Sequence, residues 1–134
     1  MVEFFNETQL DEGILQSLQT VEQQVYTFLH APKSVKVNLN FVSLEEIRTI
    51  NKQTRQIDKV TDVLSFPYTN IKVGEKLRLK DYVCDIDPTD HKLLLGDVVM
   101  CVDRAKQQAE EYGHSLKREI CFLFCHAMLH LMGY

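Results

Sequence analysis

The segment Glu119–Tyr134 constrains this chain more than any other. It reads E-I-C-F-L-F-C-H-A-M-L-H-L-M-G-Y, almost wholly apolar yet carrying His126 and His130. An i, i+4 pair stacks on one face of an α-helix, with Cβ atoms roughly 5–6 Å apart. Two imidazoles so placed can share one metal ion, because Zn–N bonds are about 2.0–2.1 Å long. Imidazoles buried on so apolar a helix would otherwise be short of hydrogen-bond partners. The segment predicts a central helix bearing a metal-binding pair, with two satisfied core histidines as the plain alternative. Gly133 extends the pattern to H-x-x-x-H-x-x-G. In long zinc motifs a glycine at that place turns the chain and returns a third histidine to the metal. That histidine is expected beyond Tyr134. Ala127 occupies the place where a metallopeptidase puts its glutamate, which opposes a zinc peptidase.

At 134 residues and 45% apolar, the chain reads as one compact domain spanning residues 1–134. It shows no charged-then-apolar leader and no apolar run near the ~20 residues of a membrane span. A soluble protein without a membrane partner is expected. Cys84, Cys101, Cys121 and Cys125 read as reduced thiols of a cytoplasmic protein rather than a disulfide frame. Cys121 and Cys125 also stand i, i+4, so a Cys2His2 site is a second metal option. Against it, successive helix residues point about 100° apart. A net charge of −4 excludes a broadly basic nucleic-acid coat. Any RNA contact must come from a local basic patch or from the metal. The D-I-D-P-T-D run lacks the glycine and the closing glutamate of a calcium loop. His30, His91 and His114 have no partner at ligand spacing and read as surface residues, with His114 placed to approach the last helix.

Periodicity supplies the elements. Val2–Phe5 is a short strand, and Thr8 opens a helix with Leu10, Ile14, Leu18, Val21, Val25 and Phe28 on one stripe. Val35 to Phe41 alternates as a strand. Ser43 and Glu46 form a capping box for a helix ending near Thr54. Val63–Phe66 reads as a short buried strand stopped by Pro67. Residues 68–93 read as a solvated loop or hairpin, long enough to flank a binding site. Leu93–Met100 is a central strand, Asp103 caps a short helix that Gly113 ends, and Ser115 starts the last one. The approach to Val63 gathers Arg55, Asp58, Thr61 and Asp62, which by spacing alone is an ordinary helix-to-strand connection.

Taken together, three blocks resemble the YbeY family of bacterial rRNA maturation factors. The first is N-x-x-x-R-x-x-D-x-x-T-D-V-L-S-F-P, here Asn51, Arg55, Asp58 and Thr61 through Pro67. The second is Leu95-Gly96-Asp97-Val98, and the third comprises His126, Leu129, His130, Leu131, Gly133 and Tyr134. Ala127 replaces a usual glycine, and the family's closing D-H would follow Tyr134. The resemblance implies an α+β fold with a small mixed sheet of about four strands and helices around it, the histidine helix central. It implies a zinc-dependent, single-strand-specific endoribonuclease in small-subunit rRNA maturation and ribosome quality control. RNA and the ribosome are then the partners, not DNA. Zinc would be held by three histidines, two of them His126 and His130, and Arg55 would serve the RNA phosphate.

Asp58, Asp62 and Asp97 are the candidate proton acceptors. The competing readings are a zinc peptidase and a non-catalytic ribosome-binding factor that contacts RNA through Arg55, Arg48, Lys52 and Lys59.

Overall fold

The computed structural model describes residues 1–7, 10–72 and 75–134. Four strands make one mixed sheet in the order β1-β2-β4-β3. Strands β1 (Val2–Phe5), β2 (Val35–Val42) and β4 (Leu93–Cys101) run parallel, and β3 (Val63–Pro67) lies antiparallel to β4. The fold is α+β, as expected, and β4 is central.

Alternation along the strands divides the apolar residues between two faces. Val37, Leu39, Phe41, Val98 and Met100 join one core cluster, which also holds Leu18 of α1 (Glu12–Phe28) and Phe124 of α4 (Leu116–Leu131). Leu64, Val99 and Cys101 form a smaller cluster under Ile47 of α2 (Leu44–Arg55). The sheet is thus covered by helices on both sides, more fully on the α4 side. Helix α3 (Val102–Tyr112) follows β4 directly and packs Ala105 into the larger cluster.

Several local expectations need correction. Thr8 lies outside the described residues, and α1 is capped by Asp11, whose carboxylate accepts from the Ile14 amide at 2.8 Å. Phe28, expected on the buried stripe, is 79% exposed at the last turn of α1. The stripe instead includes the buried Glu22, which pairs with the Met1 amine at 3.1 Å and accepts from the Tyr26 hydroxyl. Strand β3 is an edge strand with only Leu64 buried, which suits Pro67 because an edge can lack a ladder donor. Asp103 does not cap α3; Cys101 holds the cap position without a side-chain bond, and Asp103 sits in the first turn. The capping box of Ser43 and Glu46 is present, and Ser115 caps α4 by accepting from the Arg118 amide at 3.1 Å.

The stretch between β3 and β4 is more ordered than a solvated loop. Ile71 and Leu77 are buried in the core, and Leu79–Asp85 forms a kinked 3-10 segment. The buried Lys36 of β2 then clasps the return, donating to Asp87 at 2.9 Å and to Asp90 at 2.8 Å.

Candidate active site

Helix α4 faces two environments. Ile120, Leu123, Phe124, Ala127, Met128 and Leu131 are buried, so one side of the helix is core. Residues 122, 126 and 130 advance by four, which drifts only about 40° per step around a helix with 3.6 residues per turn. They form a second stripe, and Phe122, His126 and His130 are all exposed. The two histidines are therefore not core residues. They open into a cleft of about 780 Å³ bounded by α4, the C-terminal end of α2 and the free side of β3.

Two glycines let α4 approach the sheet and end where it does. A Cβ on Gly96 of β4 would collide with the Phe66 carbonyl oxygen and with Leu131 of α4. Gly133 has φ +96°, and a Cβ there would strike the Ile71 carbonyl. Beyond the helix, Tyr134 donates its amide to the Leu129 carbonyl at 2.9 Å. His114 stands 3.5 Å from the buried Glu119 at the opposite end, so it does approach the final helix.

Arg55 is the last residue of α2, exposed, and lines the same cleft as His126 and His130. Thr61, Asp62 and Ser65 complete its polar lining on the β3 side. The connection that delivers them is held from α2. Asn51 is buried and donates to the Lys59 carbonyl at 3.0 Å, and Arg48 donates to Asp58 at 2.8 Å. Asp62 accepts from the Val63 amide at 2.7 Å, while its own carbonyl takes the Cys101 amide at 2.9 Å. The local backbone bonding expected of this connection is real, and it serves to aim the cleft's side chains.

The three candidate carboxylates separate. Asp58 is tied to Arg48, whose guanidinium holds it below the usual carboxylate range, and it lines a different surface hollow with Lys52. Asp97 takes hydrogen bonds from Tyr68 and from Asn38, the latter at 2.9 Å, on the α2 side of the sheet. The bond to Asp97 raises the Tyr68 phenol above its ordinary value. Among the residues lining the cleft, Asp62 is the one carboxylate.

Ser65 was not singled out from the sequence, although it sits within the T-D-V-L-S-F-P string. Its Oγ is in hydrogen-bonding contact with Nδ1 of His130 across the gap between β3 and α4. Side chains on one face of β3 alternate, so Val63 and Ser65 fall on the same side, a signal that strand periodicity could have supplied. Cys121 and Cys125 pack against the core, and burial pushes the Cys121 thiol up. Among the described residues no group of three or more His, Cys, Asp or Glu gathers at metal-binding distance, so the Cys2His2 option is not formed.

An exposed histidine pair and an arginine share one cleft at the edge of an α+β sheet. Comparison with known proteins gives the family. The model described as "Endoribonuclease YbeY" matches residues 2–134, and the chain belongs to that family. Endoribonuclease YbeY of Lachnospira eligens is 39% identical, the match covering 99% of this chain and 82% of the relative. The protein of the same name from Agathobacter rectalis is 48% identical over 77% of this chain and 64% of its own length. That from Clostridium acetobutylicum is 39% identical over 96% and 80%. The solution structure of TM1509 from Thermotoga maritima is similar with a TM-score of 0.58 at 23% identity, covering 100% of this chain and 73% of that one. That likeness speaks for the fold alone.

Proposed function

We propose that residues 1–134 form a single domain whose cleft cuts single-stranded RNA. In the cytoplasm it would act on ribosomal RNA, in small-subunit maturation and ribosome quality control. The observation that carries this reading is that Arg55 lines one cleft with His126 and His130, three residues brought there by two different helices.

The donor set fits part of a zinc site. Both imidazoles are exposed in the cleft, and the Ser65 contact at Nδ1 of His130 leaves Nε2 of that ring for a metal. Such a contact fixes ring orientation when Nδ1–H donates to the hydroxyl. His126 and His130 would supply two nitrogens, with a third histidine following Tyr134 as the expected partner. Bound there, zinc would lower the pKa of a coordinated water and polarise a phosphoryl oxygen.

The chain's own residues do the rest. Arg55 presents a planar fork of donors that matches two phosphate oxygens, a geometry lysine lacks. It orients the scissile phosphate and offsets charge that builds on its oxygens. Asp62 is the carboxylate placed to hold a proton in the cleft. Its Oδ1 is engaged by the Val63 amide, which keeps the group oriented.

The test is zinc content and single-stranded RNA cleavage for this chain and for a form extended by Asp-His. Each is measured as native protein and as His126→Ala, His130→Ala and Arg55→Ala. Either histidine change should remove zinc and cleavage together, and the extended form should hold zinc more tightly. Arg55→Ala should keep the fold and the zinc while lowering kcat/KM roughly 10- to 100-fold, the range of a lost hydrogen bond to a charged group of about 1.5–3 kcal/mol. Cleavage that survives chelation and both histidine changes would overturn the proposal. RNA binding without cleavage, persisting under the same conditions, would instead favour a non-catalytic ribosome-binding factor.

A further inference from the structure

Phe122 is an aromatic side chain that the nuclease reading leaves unused. It is 65% exposed, although its neighbours Ile120, Leu123 and Phe124 are buried. It lies one turn before His126 on the stripe shared with His130, and it lines the same cleft as Arg55. Phe28, Tyr68 and Tyr112 are also well exposed, but none of them lines this cleft.

A phenyl ring held open to water in a cleft that an arginine also lines suits single-stranded nucleic acid. Single-stranded nucleic acid offers bases whose π-faces are free, and proteins bind it by pairing cationic contacts to the backbone with aromatic platforms for the bases. In a duplex those faces are stacked on neighbouring pairs. We propose that Phe122 is a stacking platform for one nucleobase of a single-stranded RNA whose phosphate sits at Arg55. The inference rests on the nuclease reading and supplies its preference for single strands. The occupant is a base of any identity, because every base has a π-face. Arg55, at the end of α2, and Phe122, on α4, then grip the strand from two sides of the cleft, one through phosphate and one through base. A strand so held passes His126 and His130 on the same helix face.

The test is binding of a short oligoribonucleotide carrying 2-aminopurine, with chelator present to stop cleavage, together with a strand of equal length lacking bases. Native protein, Phe122→Ala, Phe122→Leu and Phe122→Tyr are compared. The native chain should quench the 2-aminopurine fluorescence. The alanine and leucine variants should bind the based strand roughly 5- to 100-fold more weakly, as loss of one base–aromatic stack implies. Tyrosine should restore binding, and all four proteins should bind the baseless strand alike. Leucine keeps an apolar side chain at an exposed position, so its melting temperature should match native and separate lost stacking from lost folding. Native affinity in the alanine or leucine variant, or equal weakening toward the baseless strand, overturns the platform while leaving the nuclease reading intact. A native chain that neither binds nor cuts RNA overturns both.

Discussion

Ser65 links the edge strand to the histidine helix through a single contact, and its removal makes a sharp experiment. If the hydroxyl orients His130 for a metal, Ser65→Ala should weaken zinc binding about 10- to 100-fold, the usual cost of losing an outer partner of a ligating histidine. Competition with a chromophoric chelator reads the change, and an unaltered affinity would assign Ser65 to strand packing alone. The histidine pair was legible in the sequence because i, i+4 spacing is a property of one helix. What spacing could not give was its exposure, since a nearly continuous apolar segment reads as buried on all sides. The acids show the reverse problem. Asp58 and Asp97 are claimed by Arg48, and by Tyr68 and Asn38. Tyr68 and Asn38 are remote from Asp97 in the chain, so local pattern could not remove that acid from the candidate list.

At the scale of elements, the clasp of Lys36 on Asp87 and Asp90 holds the return into β4. Its hydrogen bonds lower both carboxyls below their ordinary values and raise the Lys36 ammonium above its own. A depressed carboxyl contributes stability above its unfolded pKa of about 4, lost as pH falls through the lower folded value. A raised ammonium contributes fully below its unfolded pKa of about 10.4, lost as pH climbs through the higher folded value. The clasp therefore works across the neutral range and fails in strong acid and strong base. Lys36→Met should melt lower than native near pH 7, and the two melting curves should converge as acid protonates both carboxyls. A gap that persists unchanged in acid would mean that packing of the lysine stem, not its charge, is what matters. Gly96→Ala tests the close passage of α4 over β4. The added methyl meets backbone on one side and Leu131 on the other, so a loss of about 1–3 kcal/mol in urea unfolding is expected. The capping residues Ser43, Glu46 and Ser115 marked their helices from sequence because a cap is a local hydrogen bond. The edge position of β3 was not legible, because strand order depends on pairings that periodicity does not encode. The 3-10 segment was missed for a similar reason: its order comes from Ile71 and Leu77 entering a core built elsewhere.

Across the whole molecule, α4 is the piece on which the larger core closes. Phe124 is fully buried among side chains of α1, the sheet and α4 itself. Phe124→Ala should cost about 3–5 kcal/mol, the usual price of a large cavity at such a site, measurable as a shift of the urea midpoint at constant slope. A shift below 1 kcal/mol would mean the core collapses around the gap. The place of α4 also has a kinetic side. Strands β1, β2 and β4 are parallel neighbours, so each pairing waits for a crossover to be closed, and α4 follows them all in the chain. A growing polypeptide that has already paired its strands still lacks the α4 side chains, Phe124 among them, that complete the cluster holding Val37, Leu39, Val98 and Met100. Non-local topologies of this kind fold slowly for their size, on the order of milliseconds to seconds. Until α4 is made that cluster stays partly open to water, for a time set by translation rather than by the folding of the sheet.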